Sequence, residues 1–275
     1  MDWLSDQLGY WINERHAIKL RKESGQPPPW SSDQIFNTVR FCNVHREDDR
    51  VTRWIRTNWN YFTDPVWRFV LARMINWPDS LAEITLAGTP ERAVEMLKQR
   101  AATGAKVFTS AYTISTCGRR MGKLDYILLV LQRVEKAQLQ SASFKSLEDA
   151  HFWLSQIDGL GSFLSAQIIA DMKNTEGHPL QYAPDWWTWS APGPGSLRGL
   201  SWFFFRAPYG VTATNYWTLM DQCREVTEPF INPEIPRISN QDFQNCLCEF
   251  SKWCKVKYSN GHVRNKYDPF LSASA

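Results

Sequence analysis

With 275 residues, 43% of them hydrophobic and 21% charged, the chain has material for one large domain or two helical lobes, and its balance excludes a disordered or fibrous protein. A formal net charge of +3 excludes a bulk polycation, so any affinity for nucleic acid has to come from local clusters. The six cysteines contain no pair of Cys-x-x-Cys units, and Cys246, Cys248 and Cys254 lack a matching histidine spacing, which argues against structural zinc and for reduced, mostly buried thiols of a cytosolic protein.

Trp3 to Arg21 predicts an amphipathic helix with Leu4, Leu8, Trp11 and Ile18 on one side, closed by the stiff run Gly25-Gln26-Pro27-Pro28-Pro29. The opening MDWLSDQLGYW lacks the basic-then-apolar order of a secretory signal. From Ser32, as a cap, a long helix is expected through FCNVHREDDRVTRWIRTNW, with Ile35, Val39, Phe41, Val44, Val51, Trp54 and Ile55 as its apolar stripe. Asn43, Arg46, Glu47 and Arg50 would then share one face, either as part of a cleft or as a surface laced with ion pairs.

The helical pattern continues from Pro65 to Gln99, broken at Trp77-Pro78 and at Gly88-Thr89-Pro90, where Thr89 is placed to cap the next helix. Ala105 to Thr116 is short and β-branched, compatible with a strand, a loop or a bent helix. Gly118-Arg119-Arg120-Met121-Gly122-Lys123 is not a phosphate-binding P-loop, because its glycines are one residue too close and no Ser or Thr follows the lysine. It does leave Arg119, Arg120 and Lys123 as a basic knot ahead of a strongly apolar helix from Lys123 to Gln138. The longest apolar runs, Tyr126 to Leu131 and Trp202 to Phe205, are too short to span a bilayer.

The stretch around which the chain is organised is LEDAHFWLSQIDGLGSFLSAQIIADMKN, residues 147–174. Phe152, Leu154 and Ile157 precede the turn Asp158-Gly159-Leu160-Gly161, and Phe163, Leu164, Ile168 and Ile169 come after it, a helix-hairpin-helix pattern over about residues 147–173. Glycine at positions 159 and 161 allows positive φ and a close approach, and the first amides of the second helix, at Gly161 and Ser162, are suited to a phosphate. Any αα-hairpin can turn on Gly-x-Gly, so the assignment leans on the segment downstream of the second helix. In the loop of about residues 184–200, Asp185 is followed at once by Trp186 and Trp187, then Trp189. A carboxylate framed by aromatics just beyond such a hairpin resembles the helix-hairpin-helix DNA glycosylases, whose catalytic aspartate lies there and whose target base is flipped between stacked side chains. The expectation is a mainly α chain, a single two-lobed helical domain over 1–275 of that architecture.

After an aromatic segment from Ser201 to Pro208, helices are predicted from Asn215 to about Val226 and from Asn240 to Lys257, the last with Asn245, Glu249 and Lys252 on neighbouring turns. Lys252, Lys255, Lys257, Arg264 and Lys266 form a second basic cluster without an acid among them, favouring a phosphate backbone as partner.

Together, FCNVHREDDRVTRWI, the hairpin continuing to PDWWTWSAPGPGSLRGL, and NCLCEFSKWCK resemble a bacteriophage family, the α-glutamyl/putrescinyl thymine pyrophosphorylases or amino acid:DNA transferases, over about Gln34 to Lys266. The same helical module also occurs fused to kinases of 5-hydroxymethyluracil in DNA. The resemblance implies a transferase on double-stranded DNA in which pyrophosphate on the base's 5-methylene carbon is replaced by an amino acid or polyamine, in the cytoplasm of an infected bacterial host. No kinase half accompanies the module in this sequence, which points to the transfer step, with a hydroxymethyluracil DNA kinase as a partner. It implies Asn43, Arg46 and Asp49 in the first motif, Asp185 and Arg198 in the second, and Glu249 with Lys252 in the third as site residues, with Arg50, Trp186 and Trp187 beside the substrate.

Chemically, Asp185 would either stabilise positive charge on the electron-poor methylene or accept a proton from the attacking ammonium. Arg46, Arg198 or Lys252 would meet the departing pyrophosphate, and Trp186 or Trp187 would stack on the extruded base. Gly159, Gly161, Ser162, Arg119, Arg120, Lys123 and Lys255 are the expected DNA contacts. No cofactor is required, although Glu47, Asp48 and Asp49 could hold magnesium on the pyrophosphate. Competing expectations are a glycosylase, for which the turn Gly161-Ser162-Phe163 lacks a Schiff-base lysine, and a non-catalytic subunit that presents DNA to a kinase. Asp185 as a helix cap, Arg198 as a tie for the loop Gly193-Pro194-Gly195, and Glu249–Lys252 as a surface ion pair are the structural alternatives.

Overall fold

The computed structural model describes residues 4–59, 65–109, 115–140, 143–263 and 267–272. In chain order its helices are α1 (Ser5–Glu23), α2 (Gln34–Thr38), α3 (Arg50–Asn58), α4 (Val66–Ile75), α5 (Pro78–Glu83), α6 (Pro90–Ala102), α7 (Lys123–Lys136), α8 (Leu147–Ser155), α9 (Gly161–Lys173), α10 (Pro194–Phe205), α11 (Tyr216–Thr227), α12 (Asn240–Ser259) and α13 (Pro269–Ser272). The fold is mainly α, with no β-strand among the described residues. It divides into two compact units, one made of Met1–Arg46 with Ser190–Ala275 and the other of Glu47–Trp189.

The first unit is built on aromatic burial. The α1 stripe Leu8, Trp11, Ile12 and Ile18 is buried with Phe36, Phe41, Phe203, Phe243, Phe250 and Trp253 in one hydrophobic cluster. Trp11 meets Phe41 edge-on at 5.7 Å and Phe250 stacks on Trp253 at 5.6 Å, so each large ring adds on the order of 2–3 kcal/mol of burial plus a directional contact. α10 crosses α12 at very short range. A Cβ on Gly199 would stand 2.2 Å from the Leu247 carbonyl oxygen and one on Gly195 would stand 2.1 Å from Cys248 Sγ, so the Gly-x-x-x-Gly spacing exists to let these two helices approach. The expected loop at Gly193-Pro194-Gly195 is therefore the start of a helix, with Pro194 in its first turn and Ser196 closing a hydrogen bond back to Gly193.

The second unit is organised around α4, of which every residue except Arg68 is buried, and which packs against α5, α7 and α9. Arg73 lies inside this apolar helix with its side chain fully buried. Its guanidinium grips both carboxylate oxygens of Asp171 on α9. Thr52 Oγ1 accepts from Arg73 at 2.7 Å and donates to Asp171 at 2.8 Å, while Asp49 and Asn76 accept at 3.1 and 3.3 Å. Burial pushes the Asp171 carboxyl up and the Arg73 charge pulls against it, so the pair stands or falls as a unit.

The long helix expected from Ser32 is not formed. α2 is capped by Asp33 rather than Ser32 and ends at Thr38. The chain then runs without helix to a 3-10 turn at Arg46–Asp48. Val39 and Phe41 are buried while Arg40 and Cys42 are exposed, the alternation of extended chain. α3 begins only after Asp49, whose carboxylate accepts from the amides of Val51 and Thr52. Phe152 and Phe163, expected in the hairpin's apolar stripe, are 55% and 51% exposed; Leu154, Ile157, Ile168 and Ile169 are buried as expected. Trp3, Arg264, Lys266 and the middle of the Ala105–Thr116 segment lie outside the described residues; the flanks of that segment are neither helix nor strand.

Candidate functional site

In the second unit, α8 and α9 form the hairpin. Gly159 takes φ +108°, and a Cβ there would meet Val130 Cγ2 at 2.5 Å, so glycine is needed for the turn and for contact with α7. Gly161, at φ +58°, opens α9 with nothing within 4 Å of its Cβ position, and Gly161, Ser162 and Phe163 are all exposed. His151 Nε2 lies 3.1 Å from the Ser162 carbonyl oxygen and 3.2 Å from its hydroxyl, joining α8 to the first turn of α9, and burial pushes its imidazole below the usual histidine range. The basic knot lies against this turn, because Arg119 pairs with Asp158 at 2.8 Å and Arg133 pairs with it at 2.9 Å. Arg119, Arg120 and Lys123 are exposed. The unit thus joins the hairpin amides with cations from a segment some forty residues earlier, an arrangement suited to a phosphate backbone.

Asp185 lies in the same unit, and its carboxylate caps α8. Oδ1 accepts from the Leu147 amide at 2.8 Å and Oδ2 from the Glu148 amide at 3.0 Å, while Ser146 Oγ takes the Asp149 amide at 3.0 Å. The first three amides of the helix are satisfied in this way, an aspartate from 37 and 38 residues away completing a cap that Ser146 begins. Trp186 is half-buried; its indole donates to the Lys173 carbonyl at 3.3 Å and lies under the Lys173 ammonium at 4.0 Å. Trp187, 39% exposed, meets Trp186 edge-on at 4.4 Å, and is the more open of the two for stacking. Trp189 is buried against His151.

In the first unit, segments from all three sequence motifs come together on α12. Glu249 is buried; its carboxylate accepts from Lys252 Nζ at 2.6 Å and from the Cys42 amide at 3.1 Å. Asn245 donates to the Asn43 carbonyl at 3.1 Å, and Arg15 from α1 donates to the Cys42 carbonyl at 2.8 Å and to the Asn43 side chain. The Arg46 side chain is buried, and its amide donates to Asp242 at 2.7 Å. Cys248 lies one turn before Lys252 on α12. Burial chiefly, with Glu249 assisting, pushes its thiol up to about 11, against the opposing charges of Lys252, Arg198 and Arg46. Burial works against the Lys252 ammonium, but Glu249, with Cys42 and Cys248 assisting, raises the group above the ordinary lysine value, so it stays charged at neutral pH.

Other expected residues are placed differently. Arg50 is an exposed first residue of α3 whose guanidinium lies over Trp77 at 4.6 Å, so it does not share a helical face with Asn43 and Arg46. Asp49 caps α3 and pairs with Arg73. Glu47, Asp48 and Asp49 face Arg56, Arg53 and Arg73 respectively. Such diverging carboxylates do not fit a magnesium site, and no group of three candidate ligands occurs among the described residues. Lys255 belongs to the first unit and donates to the His262 carbonyl at 2.8 Å. Sequence reasoning missed Arg15 and Asp242. The latter had a signal in Ser239-Asn240-Gln241-Asp242, a capping box in which Asp242 also receives Ser239 Oγ at 2.6 Å.

Compared with families of known proteins, residues 3–262 match the family described as 5-hmdU DNA kinase, helical domain. The chain belongs to that family. It is 24% identical over 235 residues to a 5-hmdU DNA kinase of Bacillus phage SP10, an alignment covering 71% of this chain and 36% of that protein. The chain thus spans about a third of the length of this curated relative. No solved structure matches it. Family membership accounts for the phage setting of the sequence resemblance, and no helix among the described residues is long and apolar enough to cross a membrane.

Proposed function

We propose that this helical module acts on DNA carrying hydroxymethyluracil-derived bases, and that it is a transferase replacing the pyrophosphate of 5-(pyrophosphoryloxymethyl)uracil with an amino acid or amine. What supports this reading is that Cys42 and Asn43 of the first motif meet Asn245 and the Glu249–Lys252 pair on α12 in one unit, with α10, the helix of Arg198, packed closely against α12. Arg46, Arg198 and Lys252 neutralise the pyrophosphate as it leaves, and Glu249 positions Lys252. The amine nitrogen forms the new C–N bond to the 5-methylene carbon, the C–O electrons depart with pyrophosphate, and the nitrogen gives up a proton to water or to the departing pyrophosphate. The hairpin with Arg119, Arg120 and Lys123 grips the DNA backbone. Asp185, held by two amides of α8 in the second unit, is not free to follow a moving proton; it suits the role of a cap and fixed charge beside Trp187. The setting is the cytoplasm of an infected bacterial host.

The test is to incubate the protein with DNA bearing the pyrophosphorylated base and a panel of amines, digest to nucleosides and identify products by mass spectrometry. An amine-bearing nucleoside, lost in Arg198→Gln and Lys252→Met, supports the reading; release of free base would replace it with a glycosylase. A second reading, a non-catalytic module that presents DNA to a kinase, is favoured by the engagement of both Asp185 oxygens in capping and by the kinase name of the relative. It predicts no product from the protein alone and faster phosphorylation of hydroxymethyluracil DNA by an added kinase.

A further inference from the structure

A groove of about 860 Å³ lies beside the hairpin in the second unit, along the last turn of α7 and the outer face of α8. Its volume falls within the range of small-molecule sites. Trp153, 49% exposed, forms part of the wall, and its indole donates to Asp149 Oδ1 at 3.1 Å, which fixes the ring without covering it. The acids lining the groove are already engaged. Asp149 also accepts the Lys145 amide at 3.0 Å, and Asp158 is held by Arg119 and Arg133. Lys136 and Lys145 also line it, are exposed, and form no ion pair among the described residues. The groove therefore offers an open aromatic face with two exposed ammonium groups that form no ion pair among the described residues, beside the Asp149 carboxylate, and it ends on Ile157 and Asp158 at the hairpin turn itself.

We propose that this groove binds a nucleoside monophosphate unit, its base stacked on Trp153 and its phosphate between Lys136 and Lys145. An aromatic face takes any base, and two ammonium groups on one groove suit a phosphate without fixing its geometry. The same chemistry has two sources, a free mononucleotide or an unpaired nucleotide in a DNA strand held at the adjacent turn. The strand source rests on the proposal that the hairpin grips DNA.

Both sources are tested on the full chain. Saturation-transfer NMR measures dTMP against thymidine, and fluorescence anisotropy measures a duplex with one bulged thymidine against the fully paired duplex. The variants are Trp153→Ala, Trp153→Phe and the charge reversal K136E/K145E, all at exposed positions, with folding checked by circular dichroism. The proposal expects dTMP to bind better than thymidine or the bulge to be preferred roughly tenfold, with the effect lost in Trp153→Ala and K136E/K145E and kept in Trp153→Phe. dTMP binding without a bulge preference assigns the free nucleotide; a bulge preference without dTMP binding assigns the strand. If dTMP binds in the groove and neither duplex binds, the DNA reading fails and the groove stands. Binding of dTMP or the bulge that is equal in wild type and Trp153→Ala, or absent from wild type altogether, overturns the proposal.

Discussion

Replacing Asp185 with alanine removes the acceptors for the Leu147 and Glu148 amides, leaving Ser146 to hold only the Asp149 amide at the start of α8. Leu147 is buried, so water reaches its amide poorly, whereas Glu148 is exposed and recovers a water partner. One amide left unsatisfied, together with loss of a negative charge at a helix N-terminus, amounts to about 1–2 kcal/mol. Asparagine retains one acceptor oxygen but turns its NH₂ toward a second donor, so about 1 kcal/mol is expected for Asp185→Asn. The assay is native-state hydrogen exchange by mass spectrometry on peptides covering Leu147–Ser155. For alanine these amides should exchange roughly 5–30-fold faster, and the urea midpoint of the second unit should fall. Unchanged protection in both variants would refute the cap and return Asp185 to a purely chemical role.

The packing carries further consequences. Arg73→Leu strands the buried Asp171 carboxylate and should cost about 3–5 kcal/mol in urea denaturation, whereas Arg73→Leu with Asp171→Leu should recover most of it. Gly199→Ala drives a Cβ into the Leu247 backbone and should cost about 2–3 kcal/mol, whereas Gly195→Ala meets a Cys248 side chain that can rotate and should cost less; equal denaturation midpoints would contradict the crossing. Burial pushes His178 down to about 4, and its Nδ1 accepts the Leu180 amide at 3.1 Å. The unfolded chain binds that proton from about pH 6.5 while the folded one stays neutral to about pH 4, so stability falls through this window by about 3 kcal/mol. His178→Gln should flatten that part of a stability-against-pH curve.

Helices were legible where periodicity and end signals agreed. Thr89 caps α6 as expected, and α7 and α12 lie within about two residues of their predicted limits. The run from Ile35 to Ile55 failed because Ile35–Val39 and Phe41–Val44 keep helical spacings while Val39–Phe41 alternates as in extended chain, and Asp49 prefers to begin a helix rather than sit inside one. α10 was missed because Gly-Pro-Gly reads as a loop, while here the glycines serve a close helix crossing. The buried Arg73–Asp171 pair had only the faint signal of lone charges in the apolar runs VWRFVLARMI and SAQIIADM. Spacing alone gave no warning that Asn43 and Arg46 would meet α12, because only tertiary packing joins positions about 200 residues apart.

In the proposed reaction Arg46, Arg198 and Lys252 serve departure of pyrophosphate from a modified base. The most direct test of this is release of pyrophosphate from DNA carrying 5-(pyrophosphoryloxymethyl)uracil, measured with and without a ¹⁵N-labelled amine. Amine-dependent release should be matched one for one by label in the DNA and lowered at least roughly tenfold by Arg198→Gln through loss of charge-assisted hydrogen bonds to the leaving group. No release with any amine, or release unaffected by Arg198→Gln and Lys252→Met in folded protein, would contradict it.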